Sequence, residues 1–488
     1  MKELYQLLNQ TIVYGFSSVI ARVLNFLLVP LYTIMLIPSE YAVVSEMYAY
    51  AALFMVLGSF GMETTFFRFI SNKTLNTKSV FSTAFWALSC NAFLLLTIMG
   101  LLHKDLAHLI SHHENPEYIL FFTAIIAFDL LSIIPFALLR HHNSAIRFSL
   151  LKTINIFLNI FFNIFFLVLC PILLKYDTYT PIINIIYNPS LSVSYIFISN
   201  LIASFITLLL LSPYVLHHLG WPHYKTFSKM IKYSWPILIA GIAFVINESA
   251  DKILIKNLLH KGIAMRELGI YSACYKLTIF LTLFIQAYRF AAEPFFFNQY
   301  KKPNAKETYA LMMRVFILLS LAIFLFVTLY INYIKLILRS ELYHEGVKII
   351  PIILLANIFL GIYYNLSVWY KVINKTYYAA IISTIGACLT IVLNLILIPH
   401  YGYIGAAWAT LICYLSMVLI SFFLSRKHYY IPYEMNYIYR YFFVAGIIFI
   451  ISLISPQTNL IISTFLFFIY TIFTYSEIKT IINKEKNR

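Results

Sequence analysis

Apolar runs, each about as long as a bilayer is thick, follow one another along almost the whole chain, and few folds accommodate them. A spanning helix needs about 20 mostly apolar residues, and only helices and closed barrels satisfy every backbone polar group in hydrocarbon. These runs are continuous rather than alternating with a period of two residues, so they read as helices. Composition agrees, with 61% of the 488 residues hydrophobic, 11% charged and a mean hydropathy of +0.82. Soluble domains average about 45–50% apolar and about 25% charged. Fourteen spans are expected, over 11–37, 41–61, 80–102, 118–139, 148–174, 191–216, 233–259, 268–292, 309–338, 347–370, 377–398, 404–425, 439–455 and 460–475. The first is too long for a signal-peptide core and lacks a small-residue cleavage site, so it reads as a retained helix.

Charge tests the count. With the N-terminus inside, and charges near a span end counted with the adjoining loop, 23 of the 35 lysines and arginines go with inner loops, 8 with outer loops and 4 lie deep within spans. That bias obeys the positive-inside rule and places both termini in the cytoplasm. The net charge of +16 is mostly this topology signal, and no basic run is long enough for a nucleic-acid surface. Cys90, Cys170, Cys274, Cys388 and Cys413 lie scattered inside apolar runs, which gives neither a disulfide framework nor a metal motif.

A repeat is also visible. Shifting the chain by 227 residues brings Leu31, Glu40, Ser45, Tyr48 and Phe69 onto Leu258, Glu267, Ser272, Tyr275 and Phe296. Six spans separate the copies, so both insert in the same direction, as in a parallel repeat. The expected organisation is a six-helix bundle over 1–219, a cytoplasmic connector over 220–232, a second six-helix bundle over 233–428, and two further helices with a tail over 429–488.

Ionisable groups at bilayer depth are costly, which makes each one a functional candidate. Arg22, Lys252, Lys276 and Arg289 are the deep cations, with Arg68 and Lys371 near inner span ends. Glu46, Asp129, Glu248 and Asp251 are acids within spans. Glu248 and Lys252 are spaced i,i+4, as are Arg289 and Glu293, so each pair reads as mutual neutralisation as readily as function. Asn155, Asn159 and Asn163 share one face of the fifth helix, either as a polar stripe towards a ligand or as helix-packing groups. His108 and His112, beside His103 and His113, have helical metal spacing without a supporting motif, and no metal site is expected. No nucleophile–base set or phosphate-cradling glycine loop stands out, so neither an enzyme nor a cofactor is expected.

Three groups of motifs carry a resemblance. The first is Asn25-Phe-Leu-Leu-Val-Pro30-Leu-Tyr, Ser39-Glu-Tyr and Gly61-Met-Glu-Thr-Thr-Phe-Phe-Arg68-Phe. The second is Ser249-Ala-Asp251-Lys252-Ile-Leu, Gly269-Ile-Tyr-Ser and Ala292-Glu-Pro294-Phe. The third is Gly361-Ile-Tyr-Tyr-Asn-Leu-Ser-Val-Trp-Tyr-Lys371, Asn394-Leu-Ile-Leu-Ile-Pro399 and Gly402-Tyr-Ile-Gly405-Ala-Ala-Trp-Ala-Thr. Together they resemble the polysaccharide (O-antigen) flippase family of the multidrug/oligosaccharidyl-lipid/polysaccharide exporter superfamily. Ala42 stands where that family usually has glycine, and Lys252 where it usually has arginine, which loses a bidentate fork for phosphate.

The resemblance implies an all-α polytopic fold, with two bundles related by a pseudo-twofold facing each other across a V-shaped cavity. It implies translocation of an undecaprenyl-diphosphate-linked oligosaccharide across the bacterial inner membrane by alternating access, for surface polysaccharide assembly. The implied partners are that lipid-linked substrate, membrane lipids, and a polysaccharide polymerase or other glycan-assembly protein. An anionic head crossing hydrocarbon needs a net-positive cavity, for which Arg22, Arg68, Lys252, Lys276, Arg289 and Lys371 are the expected contacts. Arg22 is the foremost of these, because it has no acid one turn away and arginine suits phosphate geometry. Glu248, Asp251, Asp129 and Glu46 are the expected coupling-ion groups. The alternatives are a drug or cation antiporter of the same superfamily, which would need an acid-lined cavity, a peptidoglycan-precursor flippase, and a membrane scaffold for glycan assembly.

Overall fold

The computed structural model describes residues 19–20, 22–71, 76–142, 144–176, 180–191, 193–300, 302–454 and 460–486. The opening of the first expected span, 11–18, lies outside the described residues, as do Lys2, Lys73, Lys301 and Arg488 among the charges counted as inner. Among the described residues no strand forms, and ten helices are long and apolar enough to cross a membrane, or eleven if one bent pair counts as a span.

In the N-terminal half the helices are α1 (Arg22–Met35), α2 (Pro38–Ser59), α3 (Met62–Ile70), α4 (Thr77–Leu101), the short α5 (His103–Leu109), α6 (Glu117–His141), α7 (Ala145–Leu173) and α8 (Ser194–His218). Next come α9 (Tyr224–Leu258), α10 (Lys261–Lys276) and α11 (Ile279–Gln299), of which α10 and α11 form the bent pair, at 51°. The remainder are α12 (Ala305–Leu329), α13 (Ile350–Leu366), α14 (Tyr377–His428), α15 (Met435–Ile454) and α16 (Leu460–Lys486). At 52 residues α14 has the length of two spans, and Gly402 (φ 58°, ψ −143°) breaks it between the expected 377–398 and 404–425. The described parts of the fourteen expected spans lie mostly on helices, with 268–292 crossing the bend between α10 and α11.

The chain divides into two compact units, Met1–Ile253 and Leu254–Arg488. The expected boundary at 219–233 lies upstream of this division. Only Leu219–His223 is non-helical, and from Tyr224 the expected connector is already α9. The first half of α9 packs within the N-terminal unit. Met230 is fully buried in a core with Met62, Phe66, Phe81 and Ile134, and the hydroxyls of Thr65 and Ser234 lie 2.6 Å apart. Between α2 and α3, Phe60 and Gly61 both have positive φ, at 50° and 63°, and Ile237 closes on the bare Gly61 backbone. A Cβ there would meet the Ile237 side chain at 2.7 Å, so only glycine allows both the turn and the contact. Within this unit α6 is central, packing on α2, α3, α4, α7 and α8.

In the C-terminal unit α12 and α13 form the centre. α13 packs mainly on α14, and α12 packs on α11, α13, α15 and α16. Trp369, fully buried, donates from Nε1 to Ser421 Oγ at 3.2 Å. The last two helices are tied down by charge. Arg314 of α12, 1% exposed, pairs with Glu434 and, at 3.5 Å, with Glu477 of α16. Its Nε and Nη2 donate to the Tyr441 hydroxyl of α15 at 3.1 and 2.8 Å.

Candidate functional site

Five helices of the N-terminal unit, α2, α3, α6, α7 and α8, surround a cavity of about 510 Å³. Helical periodicity explains its lining. Side chains three and four residues apart share a helix face, and each long helix brings one polar stripe to the cavity. From α6 the stripe is Asp129, Ser132, Phe136 and Arg140, from α7 it is Phe148, Lys152 and Asn155, and from α8 it is Asn200, Ser204 and Thr207. The other faces of these helices are largely apolar.

The polar groups are held in place. Asn155 Nδ2 donates to Thr207 Oγ1 at 2.8 Å, and that hydroxyl donates to the Ala203 carbonyl at 2.7 Å. Asn200 Nδ2 donates to the Tyr48 hydroxyl at 3.0 Å. Arg140 forms an ion pair with Glu63 of α3 and lies 4.9 Å from the Phe67 ring centroid and 5.5 Å from that of Phe148. Lys152 Nζ sits 4.3 Å over the Phe136 ring. Asp129, Ser204 and Lys152 all line the cavity. The site therefore holds one closed ion pair, one further acid, one further ammonium, and a wall of amides and hydroxyls. Of the expected coupling acids it takes in Asp129 alone.

The other expected residues lie elsewhere. Arg22 is exposed on α1, and Arg68 is exposed at the end of α3 with its guanidinium 4.7 Å over the Tyr233 ring. Lys276 is exposed at the end of α10. The i,i+4 pairings are corrected. Lys252 Nζ lies 3.4 Å from Asp251 Oδ1 and donates to the backbone carbonyl of Glu248 at 3.2 Å, while the Glu248 side chain is exposed. Glu293 pairs with Lys371 at 2.6 Å rather than with Arg289, which lies 4.2 Å over the Tyr364 ring. Lys371 is thus engaged by a carboxylate rather than held as an open cation.

Glu46, fully buried on α2, is engaged by His112 Nε2 at 2.9 Å from the segment between α5 and α6. Replacing His112 with alanine is expected to cost about 1–3 kcal/mol by stripping that partner from a buried carboxylate. Thermal unfolding in detergent checks this, with His112→Gln retaining part of the loss and equal melting temperatures for all three proteins contradicting it. The asparagine stripe divides in two. Asn155 lines the cavity, whereas Asn163 is buried, accepting from the Tyr32 hydroxyl at 2.9 Å and donating to the Asn159 carbonyl at 2.7 Å.

Sequence reasoning missed Lys152, Arg140 and Glu63. The signal for Lys152 was present: it falls inside the expected span 148–174 with Asn155 one turn further on, yet its charge had placed it in an inner loop. Among the described residues no group of three or more histidine, cysteine or acidic side chains could hold a metal ion.

Stacked apolar helices around a charged, amide-lined cavity define a multi-pass membrane protein. The chain belongs to the polysaccharide biosynthesis protein family, whose model matches residues 7–300, and with it to the exporter superfamily that the motifs resemble. The fold is similar to that of the lipid II flippase MurJ in an inward closed conformation, with a TM-score of 0.73 at 17% identity, over 96% of this chain and 99% of that one. It is also similar to an inward-facing multidrug resistance MATE family transporter, with a TM-score of 0.66 at 13% identity over 83% and 94% of the two chains. A MATE protein in the straight conformation gives 0.60 at 12% identity over 86% and 95%. No curated protein matches the sequence.

Proposed function

We propose that the protein translocates an undecaprenyl-diphosphate-linked oligosaccharide from the inner to the outer leaflet of the bacterial inner membrane, by alternating access, for surface polysaccharide assembly. The observation that carries the reading is a cavity lined by amides, hydroxyls and paired charges inside a spanning bundle of a polysaccharide biosynthesis protein. Amides and hydroxyls match the hydrogen-bonding groups of a saccharide head, while the lipid tail needs no polar enclosure.

The exposed cations Arg22 and Arg68 of the N-terminal unit, and Lys276 and Arg289 of the C-terminal unit, are the groups we assign to the diphosphate. Lys252 and Lys371, each beside a carboxylate, serve it only if those pairs open during the cycle. Glu248, Asp251 and Glu46 rank behind Asp129 as coupling groups, because Asp251 and Glu46 are engaged by Lys252 and His112 and the Glu248 side chain is exposed. A polysaccharide polymerase is the partner that the product implies.

Deleting the protein should strand the lipid-linked oligosaccharide on the cytoplasmic leaflet and stop surface polysaccharide. Arg22→Ala should do the same at normal protein level, and Arg22→Lys should retain part of the export. Equal export from both variants and the wild type removes Arg22 from the site. The charge bias further supports a cytoplasmic position for both termini, so a reporter active only in the cytoplasm should be active when fused to the C-terminus. A reporter active only outside would reverse the orientation.

A further inference from the structure

A side-chain hydroxyl or amide carries both donors and acceptors, and what it shows a ligand depends on which of these its neighbours have taken. On the wall of the N-terminal cavity the donors are taken. Ser59 of α2, Ser132 of α6 and Thr207 of α8 each turn the hydroxyl hydrogen onto a backbone carbonyl of their own helix. The acceptors are Val56, Phe128 and Ala203, at 3.2, 2.8 and 2.7 Å. With its hydrogen committed, the Thr207 oxygen can only accept from Asn155, at 2.8 Å. That fixes the Asn155 amide with its nitrogen towards Thr207 and leaves its carbonyl oxygen for a ligand. Asn200 likewise commits an N–H to the Tyr48 hydroxyl at 3.0 Å.

The wall therefore presents lone pairs, to which Asp129 adds a carboxylate. Thr64 and Ser204 contribute hydroxyls that can turn to either role. Of the lining cations, Arg140 is engaged by Glu63, and Lys152, over the Phe136 ring, supplies N–H donors. A ligand suited to such a wall brings many hydroxyl hydrogens and an acceptor for the ammonium. A diphosphate brings only acceptor oxygens, which would stand unpaired against these lone pairs. A sugar ring carries an O–H on most of its carbons, and its ring oxygen or an acetamido carbonyl suits Lys152. The volume of about 510 Å³ lies within the range of roughly 300–1,000 Å³ typical of small-molecule sites, which suits a short saccharide.

We propose that the N-terminal cavity is a saccharide subsite that selects its sugar by hydroxyl donors, accepted by Asn155, Thr207, Ser132 and Asn200, and leaves the diphosphate outside. The cargo that brings the sugar rests on the flippase reading, whereas the preference for donors stands on the hydrogen bonds of the wall.

Titration of free sugars against the full-length protein in lipid nanodiscs, followed by saturation-transfer NMR, tests the donor preference. The panel is neutral hexoses and N-acetylhexosamines, each beside deoxyfluoro analogues in which fluorine replaces one hydroxyl and removes its hydrogen. At least one parent sugar should bind, and fluorine at a contacted position should weaken it about tenfold. Asn155→Leu should weaken the parent by a similar factor and leave the fluoro analogue unchanged, as expected when either change removes the same contact. Ser132→Ala, whose hydroxyl bonds its own helix, gives the same comparison at another ring position should the leucine variant fail to fold. Inorganic diphosphate should not displace the sugar. The proposal is overturned if no member of the panel binds, if fluoro analogues match their parents at every position, or if diphosphate displaces the sugar. In vesicles, a lipid-diphosphate carrying the bound sugar separates the two readings. Sugar binding with the donor preference but no translocation supports the subsite and rejects the flippase reading. Translocation that ignores fluorination rejects the subsite and keeps the flippase reading.

Discussion

Arg314→Ala should destabilise the C-terminal unit by about 3–5 kcal/mol, the cost of breaking a buried charge network by removing one member. The guanidinium lies 3.8 Å over the Tyr437 ring, meets Glu434 and Glu477, and donates twice to the Tyr441 hydroxyl, which itself donates to Glu477 Oε2 at 2.8 Å. Arg440 also pairs with Glu477. One side chain on α12 therefore holds α15, α16 and the segment before α15. Without it, Glu477, 11% exposed, keeps only part of its compensation. Arg314→Lys should recover less than half of the loss, because an ammonium cannot supply the planar fork that reaches both acids and the hydroxyl. Chemical unfolding in detergent measures it, and a change below about 1 kcal/mol, as for an exposed pair, would contradict the role given to this network.

Gly402→Val is the second large effect, with an expected loss of about 2–5 kcal/mol from a backbone conformation that side chains avoid and from overpacking. Gly402 turns the chain between the two halves of α14. A Cβ there would lie 2.4 Å from Glu267 Oε2, and that same oxygen accepts the Tyr403 N–H at 3.1 Å, capping the second half of the hairpin from α10. Gly405 adds a close approach, since its Cβ would meet the Leu397 carbonyl oxygen at 2.3 Å. The substitution therefore strains the turn, expels the capping carboxylate and separates the two helix ends together. Glu267→Gln, which keeps an acceptor at the same place, should cost less than half as much. The two can be compared by melting temperature in one detergent, and equal stability of Gly402→Val and wild type would contradict the account of the turn.

The helices were legible in the sequence because hydropathy is a local property, and so was the turn at Pro399–Gly402. Partners distant in sequence were not. The i,i+4 rule joins Arg289 to Glu293, yet Lys371, 78 residues away from Glu293, takes the carboxylate. The same rule joins Glu248 to Lys252, and Asp251, adjacent on the helix, stands closer. Lys152 and Arg314 mark another limit. Both lie inside expected spans, and counting them as inner-loop charges was consistent with topology, but one faces a cavity and the other is buried in an ion-pair network. Charge statistics say on which side of a membrane a loop lies, not whether a given cation has left the loop for the interior. The 220–232 stretch shows a related limit: its polar composition reads as a connector, while Met62 and Phe66 pack on Met230 and most of the stretch is helix.

Reconstituted vesicles offer the most direct test of the central claim. The purified protein is placed in liposomes with a fluorescent undecaprenyl-diphosphate-oligosaccharide, and a membrane-impermeant quencher reports which leaflet the probe occupies. The account predicts movement to the opposite leaflet that requires the protein and is lost in Arg22→Ala. Probe that stays in its original leaflet in the presence of folded wild-type protein, while a cationic dye is carried instead, would contradict it and make this chain an antiporter.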